Sequence, residues 1–320
     1  MTMSTYTFIS RPLIVVWGCV VAGMVAGPAT AAASEVLIDD SASITVDEDR
    51  TLALRVVYKP GATPVPVIVL SHGTFSSGKK YDPVALYWAE HDYVVILPDH
   101  RDADYGELPK SDAHMVEIID SRARDMVAIV DQLQLIGTLI PDLHMRMDTT
   151  RLVSAGHSVG TFIAMQMVGL KVRNPVSGKL TSVNEDRYRA VVMLSDPGKM
   201  ALMPDNVWLG GSRPALLVTG PDDYGLMGDG RRPADYQNEV LPAENPSVGQ
   251  RYLLNIIGMD HQFGGLIKKQ VATTEPDVEA MEVFLDISIA FLDVYVKGDE
   301  TAMDRLEPRK ISDRATLTVE

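Results

Sequence analysis

The chain has 320 residues, of which 46% are hydrophobic, and 43 acidic against 29 basic residues give a formal net charge of −14. This acidic balance disfavours binding to nucleic acid or to anionic membranes, because both carry negative charge themselves. The single cysteine, Cys19, excludes an internal disulfide framework. The length and apolar content are sufficient for one large α/β domain.

The first 33 residues have the pattern of a secretory signal peptide. Arg11 precedes an apolar run over 13–27, and small residues with A-x-A spacing follow up to Ala33. We therefore expect cleavage near Ser34 and a secreted or periplasmic bacterial protein, whose net charge without Arg11 is −15. The alternative is an uncleaved anchor, because the apolar stretch approaches the roughly 20 residues that span a bilayer.

Strand-like and helix-like segments alternate along the rest of the chain. Short runs that are apolar at nearly every position are typical of strands covered on both faces, and longer segments carry apolar residues at helical spacing. The predicted strands are 51–58, 65–70, 93–97, 151–155, 189–194, 214–219 and 251–257, and the predicted helices are 81–91, 112–135, 161–168 and 275–295. A polar loop is predicted at 171–187. This order predicts an α/β fold with a mainly parallel central sheet and helices on both faces, in a single domain over 34–320.

A G-x-S-x-G sequence, 156–160, joins the strand 151–155 to the helix 161–168. In this context the pattern predicts a strained turn that exposes a nucleophilic serine at the carboxyl edge of the sheet. Ser158 is that serine. Glycine is expected at 156 and 160 because side chains there would collide with the turn. An ordinary turn is the alternative interpretation.

A serine hydroxyl needs a base, usually a histidine oriented by a carboxylate. His261 is the only histidine after Ser158, and it lies in a loop after the strand 251–257. Its position in the chain fits the order serine, acid, histidine. The sequence therefore predicts His261 as the base.

The acid is less sharply defined. Asp223 follows the strand 214–219 directly and is the first choice. Asp222 and Asp196 are alternatives, the latter because it follows the preceding strand. Asp260 is interpreted as a loop residue, since side chains of neighbouring residues tend to diverge.

Backbone N–H groups beside the serine should hold the negative oxygen of the reacting carbonyl. Val159 offers one such group at the start of a helix, and Thr74 offers another in the turn after the strand 65–70, with Phe75 as a substitute. His72 and His157 are interpreted as packing residues.

The run Asp99-His100-Arg101-Asp102-Ala103-Asp104 has the composition of a metal site. Its spacing matches no zinc or EF-hand pattern, and Arg101 would oppose a cation. The sequence indicates a charged loop near the pocket mouth. No glycine-rich phosphate loop or dinucleotide motif is present in the sequence.

Three segments together resemble the α/β-hydrolase superfamily, in particular the predicted dienelactone hydrolase and platelet-activating-factor acetylhydrolase-like group. They are Leu70-Ser71-His72-Gly73, Tyr93-Val94-Val95-Ile96-Leu97-Pro98-Asp99-His100 and Ala155-Gly156-His157-Ser158-Val159-Gly160. The resemblance covers about residues 50 to 300. Dienelactone hydrolases use a cysteine nucleophile, so the serine at 158 argues against that activity.

The resemblance implies Ser158 as nucleophile, His261 as base and Asp223 as acid. Together with the signal-peptide pattern, these residues predict a secreted serine esterase, which we expect to favour short acyl chains. No cofactor or metal is expected, and the expected partner is a small-molecule ester, with no nucleic acid and no stable membrane insertion after cleavage. The oligomeric state is left open. The alternatives are a phospholipase- or acetylhydrolase-like lipid esterase, a polyester hydrolase and a non-catalytic binding protein with this fold.

Overall fold

Short and almost entirely apolar sequences form two of the central strands. The structure, a computed structural model, describes residues 35–47, 50–106, 110–173, 178–195, 213–224, 250–267 and 275–319. In it, β4 (Val65–Ser71) and β5 (Val94–Pro98) are buried along their whole length. Both strands were predicted to within one residue at each end. The predicted signal peptide, 1–33, lies outside the described residues.

Eleven of the described strands form a mixed sheet in the order β1-β3-β5-β4-β6-β9-β10-β11-β13-β12, with β2 paired to β3, and β7 and β8 form a separate two-stranded sheet. Six neighbouring strands, from β5 to β11, are parallel, and the outer strands at both edges are antiparallel. The remaining strands are β1 (Leu37–Asp39), β2 (Ser43–Val46), β3 (Arg50–Tyr58), β6 (Met147–His157), β7 (Val172–Arg173), β8 (Leu180–Thr181), β9 (Tyr188–Leu194), β10 (Ala215–Thr219), β11 (Arg251–Ile256), β12 (Arg309–Lys310) and β13 (Ala315–Val319).

Helices cover both faces of this sheet, as the sequence predicts. Successive side chains of a strand point to opposite faces, so Val67 and Val69 of β4 pack into one buried cluster, while Ile68 and Leu70 pack into another. The first cluster includes residues of α2 and α5, and the second includes residues of α1 and α6. The helices are α1 (Asp82–Glu90), α2 (Asp112–Asp131), α3 (Leu133–Leu139), α4 (Leu143–Arg146), α5 (Val159–Met167) and α6 (Val278–Leu292).

Several elements differ from the sequence prediction. The helix expected over 112–135 is divided at Gln132, where ψ is 15° and the chain begins α3. The loop expected over 171–187 contains the short hairpin of β7 and β8. The strand β13 pairs antiparallel with β11 and was not predicted. Within the described residues, no helix combines the length and the apolar character that crossing a membrane requires.

The order of the strands indicates where a ligand site is expected at the carboxyl edge of the sheet. From β4 the chain moves to its neighbour β5 on one side and then to β6 on the other side. Ligands of open α/β sheets bind outside the carboxyl ends of the strands where the order reverses in this way. The turn after β4 and the turn after β6, which hold Thr74 and Ser158, therefore lie at the expected position of a site.

Candidate active site

Ser158 lies in the sharp turn between β6 and α5. Its φ of 55° and ψ of −124° are rare for a residue with a Cβ, and such conformations persist only where surrounding contacts enforce them. Here the N–H of Ser158 donates to the carbonyl oxygens of Ser195 (2.8 Å) and Leu194 (3.0 Å), at the end of β9. The strained turn that the sequence predicts is present.

Gly156 and Gly160 leave no space for a side chain. A Cβ on Gly156 would lie 2.1 Å from the carbonyl oxygen of Gly160, and a Cβ on Gly160 would lie 2.0 Å from the carbonyl oxygen of Ser71 in β4. Both obstructing atoms belong to the main chain, so no change of rotamer relieves either clash. The predicted requirement for glycine at these two positions is confirmed.

His261 is hydrogen bonded to a buried carboxylate. Its Nδ1 lies 2.6 Å from Oδ1 of Asp223, whose side chain is fully buried. The other carboxylate oxygen of Asp223 accepts a hydrogen bond from the hydroxyl of Thr219 (2.8 Å). Because a carboxylate accepts, Nδ1 of His261 donates, and the neutral imidazole then has an unprotonated Nε2. This is the tautomer that can accept a proton at Nε2.

The other candidate acids have different partners. Asp222 accepts a hydrogen bond from the N–H of Gly258 (3.1 Å). Asp260 accepts from the N–H groups of Gln262 (2.9 Å) and Gly264 (2.8 Å), which shapes the loop that carries His261. Asp196 lies outside the described residues. Of the candidates that the structure describes, Asp223 is the one that meets the imidazole.

The loop that carries His261 packs against the turn that carries Ser158. The imidazole rings of His157 and His261 are 4.9 Å apart between centroids, and Nε2 of His157 lies 2.8 Å from the carbonyl oxygen of His261. Nε2 of His261 is buried and has no hydrogen-bond partner among the described residues. The three predicted residues therefore lie in adjoining turns, with Asp223 bonded to His261 and with no hydrogen bond between His261 and Ser158.

The turn after β4 packs against Ser158 from the other side. A Cβ on Gly73 would lie 3.4 Å from Cβ of Ser158 and 2.8 Å from Nδ1 of His157. The close approach of this turn to the turn that carries Ser158 is therefore the reason for glycine at this position. The carbonyl of Gly73 accepts hydrogen bonds from Nδ1 of His72 (2.7 Å), Nη2 of Arg122 (3.2 Å) and the N–H of Ser76 (3.2 Å).

These contacts also fix the direction of the next N–H group. A trans peptide is planar, so the N–H of Thr74 points opposite to the carbonyl of Gly73 and away from Arg122. Val159 is the first residue of α5, where N–H groups have no carbonyl partner within the helix. The substitute donor, Phe75, donates its N–H to Oδ2 of Asp102 (3.2 Å). Thr74 stays the predicted partner of Val159.

A buried ion pair lies behind this turn. Arg122 of α2 donates from Nε and Nη2 to the two carboxylate oxygens of Asp102 (2.8 and 2.6 Å), and from Nη1 to the carbonyl oxygen of His72 (2.5 Å). Burial alone would raise the pKa of Asp102, but the charge of Arg122 outweighs burial and holds this pKa well below its usual range. The pKa of His72 is lowered by burial and by Arg122, which keeps its imidazole neutral.

A second buried chain of hydrogen bonds anchors the end of β4. His100 is 2.8 Å from Oδ2 of Asp125 through Nδ1 and 2.9 Å from Oγ of Ser71 through Nε2. Asp125 also forms an ion pair with Arg50. This Ser-His-Asp chain has the connectivity of a catalytic triad, but all three residues are buried at 2% exposure or less. It holds the strand end rather than facing a crevice.

The sequence interpretation of 99–104 as a charged loop near the pocket mouth did not anticipate that two of its residues are buried. His100 and Asp102 are buried, whereas Asp104 remains exposed. Burial is possible because Arg122 and Asp125 supply the partners that a buried charge or imidazole requires. Both partners are on α2, more than 19 residues further along the chain, so no local pattern identifies them.

Sequence reasoning also missed Tyr81, whose hydroxyl is 2.8 Å from Nδ1 of His157. No motif includes this residue. Its only signal was its position at the start of a predicted helix that follows the turn after β4.

Comparison with known proteins adds no identification. No protein-family model matches the sequence, and no curated protein matches it either.

Proposed function

We propose that the protein is a serine hydrolase of the α/β-hydrolase fold that cleaves carboxylic esters. The observation that carries this proposal is the imidazole of His261, which is oriented by buried Asp223, has an unpartnered Nε2, and adjoins the strained turn of Ser158. The six parallel strands and the strand–turn–helix context of Ser158 support the fold assignment.

In the proposed reaction, Oγ of Ser158 attacks the ester carbonyl carbon while its proton moves to Nε2 of His261. The carbonyl oxygen becomes negative and is stabilised by the N–H groups of Thr74 and Val159. Asp223 stabilises the imidazolium through Nδ1. The C–O bond to the alcohol then breaks, and the alkoxide takes the proton from Nε2, which leaves an acyl-enzyme.

Water completes the cycle by the same steps. His261 takes a proton from water as its oxygen attacks the acyl carbon, and the proton then passes to Oγ of Ser158 as the acid leaves. Every proton in this scheme is carried by the chain, the substrate or water, so the proposal invokes no cofactor. The missing hydrogen bond between Ser158 and His261 is compatible with it, because such bonds are often long without substrate and shorten when substrate binds.

A series of p-nitrophenyl esters, from acetate to longer acyl chains, tests this proposal. We expect hydrolysis that favours short chains and that falls by at least about a thousandfold in Ser158→Ala. Ser43→Ala is the matched control, because Ser43 is exposed on β2. Equal rates for Ser158→Ala and the parent would reject the proposal. A strong preference for micellar esters or polyester films would redirect the substrate class to lipids or polymers.

A further inference from the structure

Two buried side chains connect the three turns of the candidate active site. Tyr81 and His157, which we call the Tyr81–His157 bridge, are exposed by only 0% and 1%. The N–H of Gly73 donates to the hydroxyl of Tyr81 (2.8 Å), this hydroxyl contacts Nδ1 of His157 (2.8 Å), and Nε2 of His157 contacts the carbonyl oxygen of His261 (2.8 Å). The bridge thus runs from the turn after β4, through the serine turn, to the histidine loop.

With a neutral His157, the direction of every hydrogen bond in the bridge is determined. A carbonyl oxygen only accepts, so the N–H at Nε2 of His157 donates a hydrogen bond to the main-chain carbonyl of His261. The neutral ring then has its acceptor at Nδ1. Tyr81 must donate to that nitrogen, while its oxygen accepts from Gly73. Burial raises the pKa of Tyr81 to about 12, so the hydroxyl keeps the proton that it donates. A single tautomer of His157 satisfies all three contacts.

The bridge holds main-chain groups whose positions matter for the proposed chemistry. Gly73 precedes Thr74, the proposed oxyanion donor, so fixing the N–H of Gly73 helps to fix the next peptide. The carbonyl held by His157 belongs to His261 itself, whose imidazole must reach Ser158. A displacement of about 1 Å at such groups can reduce a rate about a hundredfold.

We infer that Tyr81 and His157 are positioning residues that set the distance between the oxyanion donor at Thr74 and the base at His261. This inference rests on the proposed function and deepens it. Neither residue exchanges a proton with the substrate. They act by holding two loops against the serine turn, so their loss should reduce kcat while leaving KM nearly unchanged.

Tyr81→Phe tests the inference, because it removes one hydroxyl and keeps the buried ring. We expect kcat for p-nitrophenyl acetate to fall about 10- to 100-fold, with KM within about threefold of the parent value. The matched control is Tyr188→Phe. Tyr188 is also fully buried, and its hydroxyl donates to the carbonyl oxygen of Met126 (3.2 Å), outside the candidate site. Both variants remove one buried hydroxyl, which has two hydrogen bonds in Tyr81 and one in Tyr188, but Tyr188→Phe should keep kcat within about twofold.

A double-mutant cycle with His157→Gln separates a connected bridge from two independent contacts. If the residues act in series, the double variant should be no more than about threefold slower than the slower single variant. Multiplication of the two kcat losses would overturn the inference. So would a Tyr81→Phe variant as fast as Tyr188→Phe in a protein whose hydrolysis requires Ser158. A parent without Ser158-dependent hydrolysis would instead refute the proposed function, and the inference with it.

Discussion

The buried ion pair of Arg122 and Asp102 gives a prediction of stability that does not depend on any activity. Asp102→Asn keeps the shape of the side chain but leaves the guanidinium of Arg122, which is fully buried, without a counter-charge. Breaking a buried pair by removing one partner costs about 3–5 kcal/mol. At about 2 °C per kcal/mol for a domain of this size, we expect Tm to fall by about 6–10 °C.

Asp104→Asn is the matched control, since it makes the same chemical change two residues along the chain. The carboxylate of Asp104 is 44% exposed and lies 3.4 Å from Nζ of Lys79. An exposed pair of this kind contributes about 0–1 kcal/mol, and asparagine tolerates the positive φ of 48° at this position. Thermal unfolding followed by circular dichroism at neutral pH compares the two variants. A Tm for Asp102→Asn within about 1 °C of that for Asp104→Asn would refute the assigned role of the pair.

Three further outcomes follow from the same structure. Because the pKa of Asp102 is lowered in the folded protein, its carboxylate stabilises the fold fully at pH values above the ordinary pKa of about 3.8. This stability is lost as pH falls through the lowered pKa, since the unfolded chain binds more protons than the folded chain in that range. Tm of the parent measured downward from pH 5 should therefore fall more steeply than Tm of Asp102→Asn, and parallel curves would contradict this. Gly160→Ala should fail to give a folded protein by near-ultraviolet circular dichroism. The control Gly61→Ala should fold normally, because its Cβ would be 3.4 Å from its nearest neighbour. A folded Gly160→Ala with the parent's Tm would show that the turn can open. Asp223→Asn should lower kcat for p-nitrophenyl acetate by about 10⁴, and Asp222→Asn by less than about tenfold, so equal losses would reverse the choice of acid.

The central strands and the serine turn could be predicted because their signals are local. Residues 65–70 are apolar at every position, as expected for a strand covered on both faces. Gly156 and Gly160 mark the turn because their main-chain surroundings admit no Cβ. The motif can be recognised from adjacent residues, although the atom that obstructs a Cβ on Gly160 belongs to Ser71 of β4.

The buried polar groups could not be predicted because their reasons are not local. Asp102 stands in a charged run, where a solvated loop is the ordinary interpretation, and only the folded chain brings Arg122 of α2 to it. Tyr81 similarly acquires its role from His157, 76 residues away. The strand β13 did carry a signal, since alternate residues of Ala315–Val319 are buried, but five residues are weak support for a strand.

Covalent labelling by a fluorophosphonate tests the central claim most directly, because the reagent reacts with a serine hydroxyl that a neighbouring base activates. The account predicts one adduct per chain by mass spectrometry, on the peptide that contains Ser158, and labelling at least about a hundredfold slower in His261→Asn. Absence of label on Ser158 in the folded parent, or equal labelling rates for the parent and His261→Asn, would contradict the claim that His261 activates Ser158.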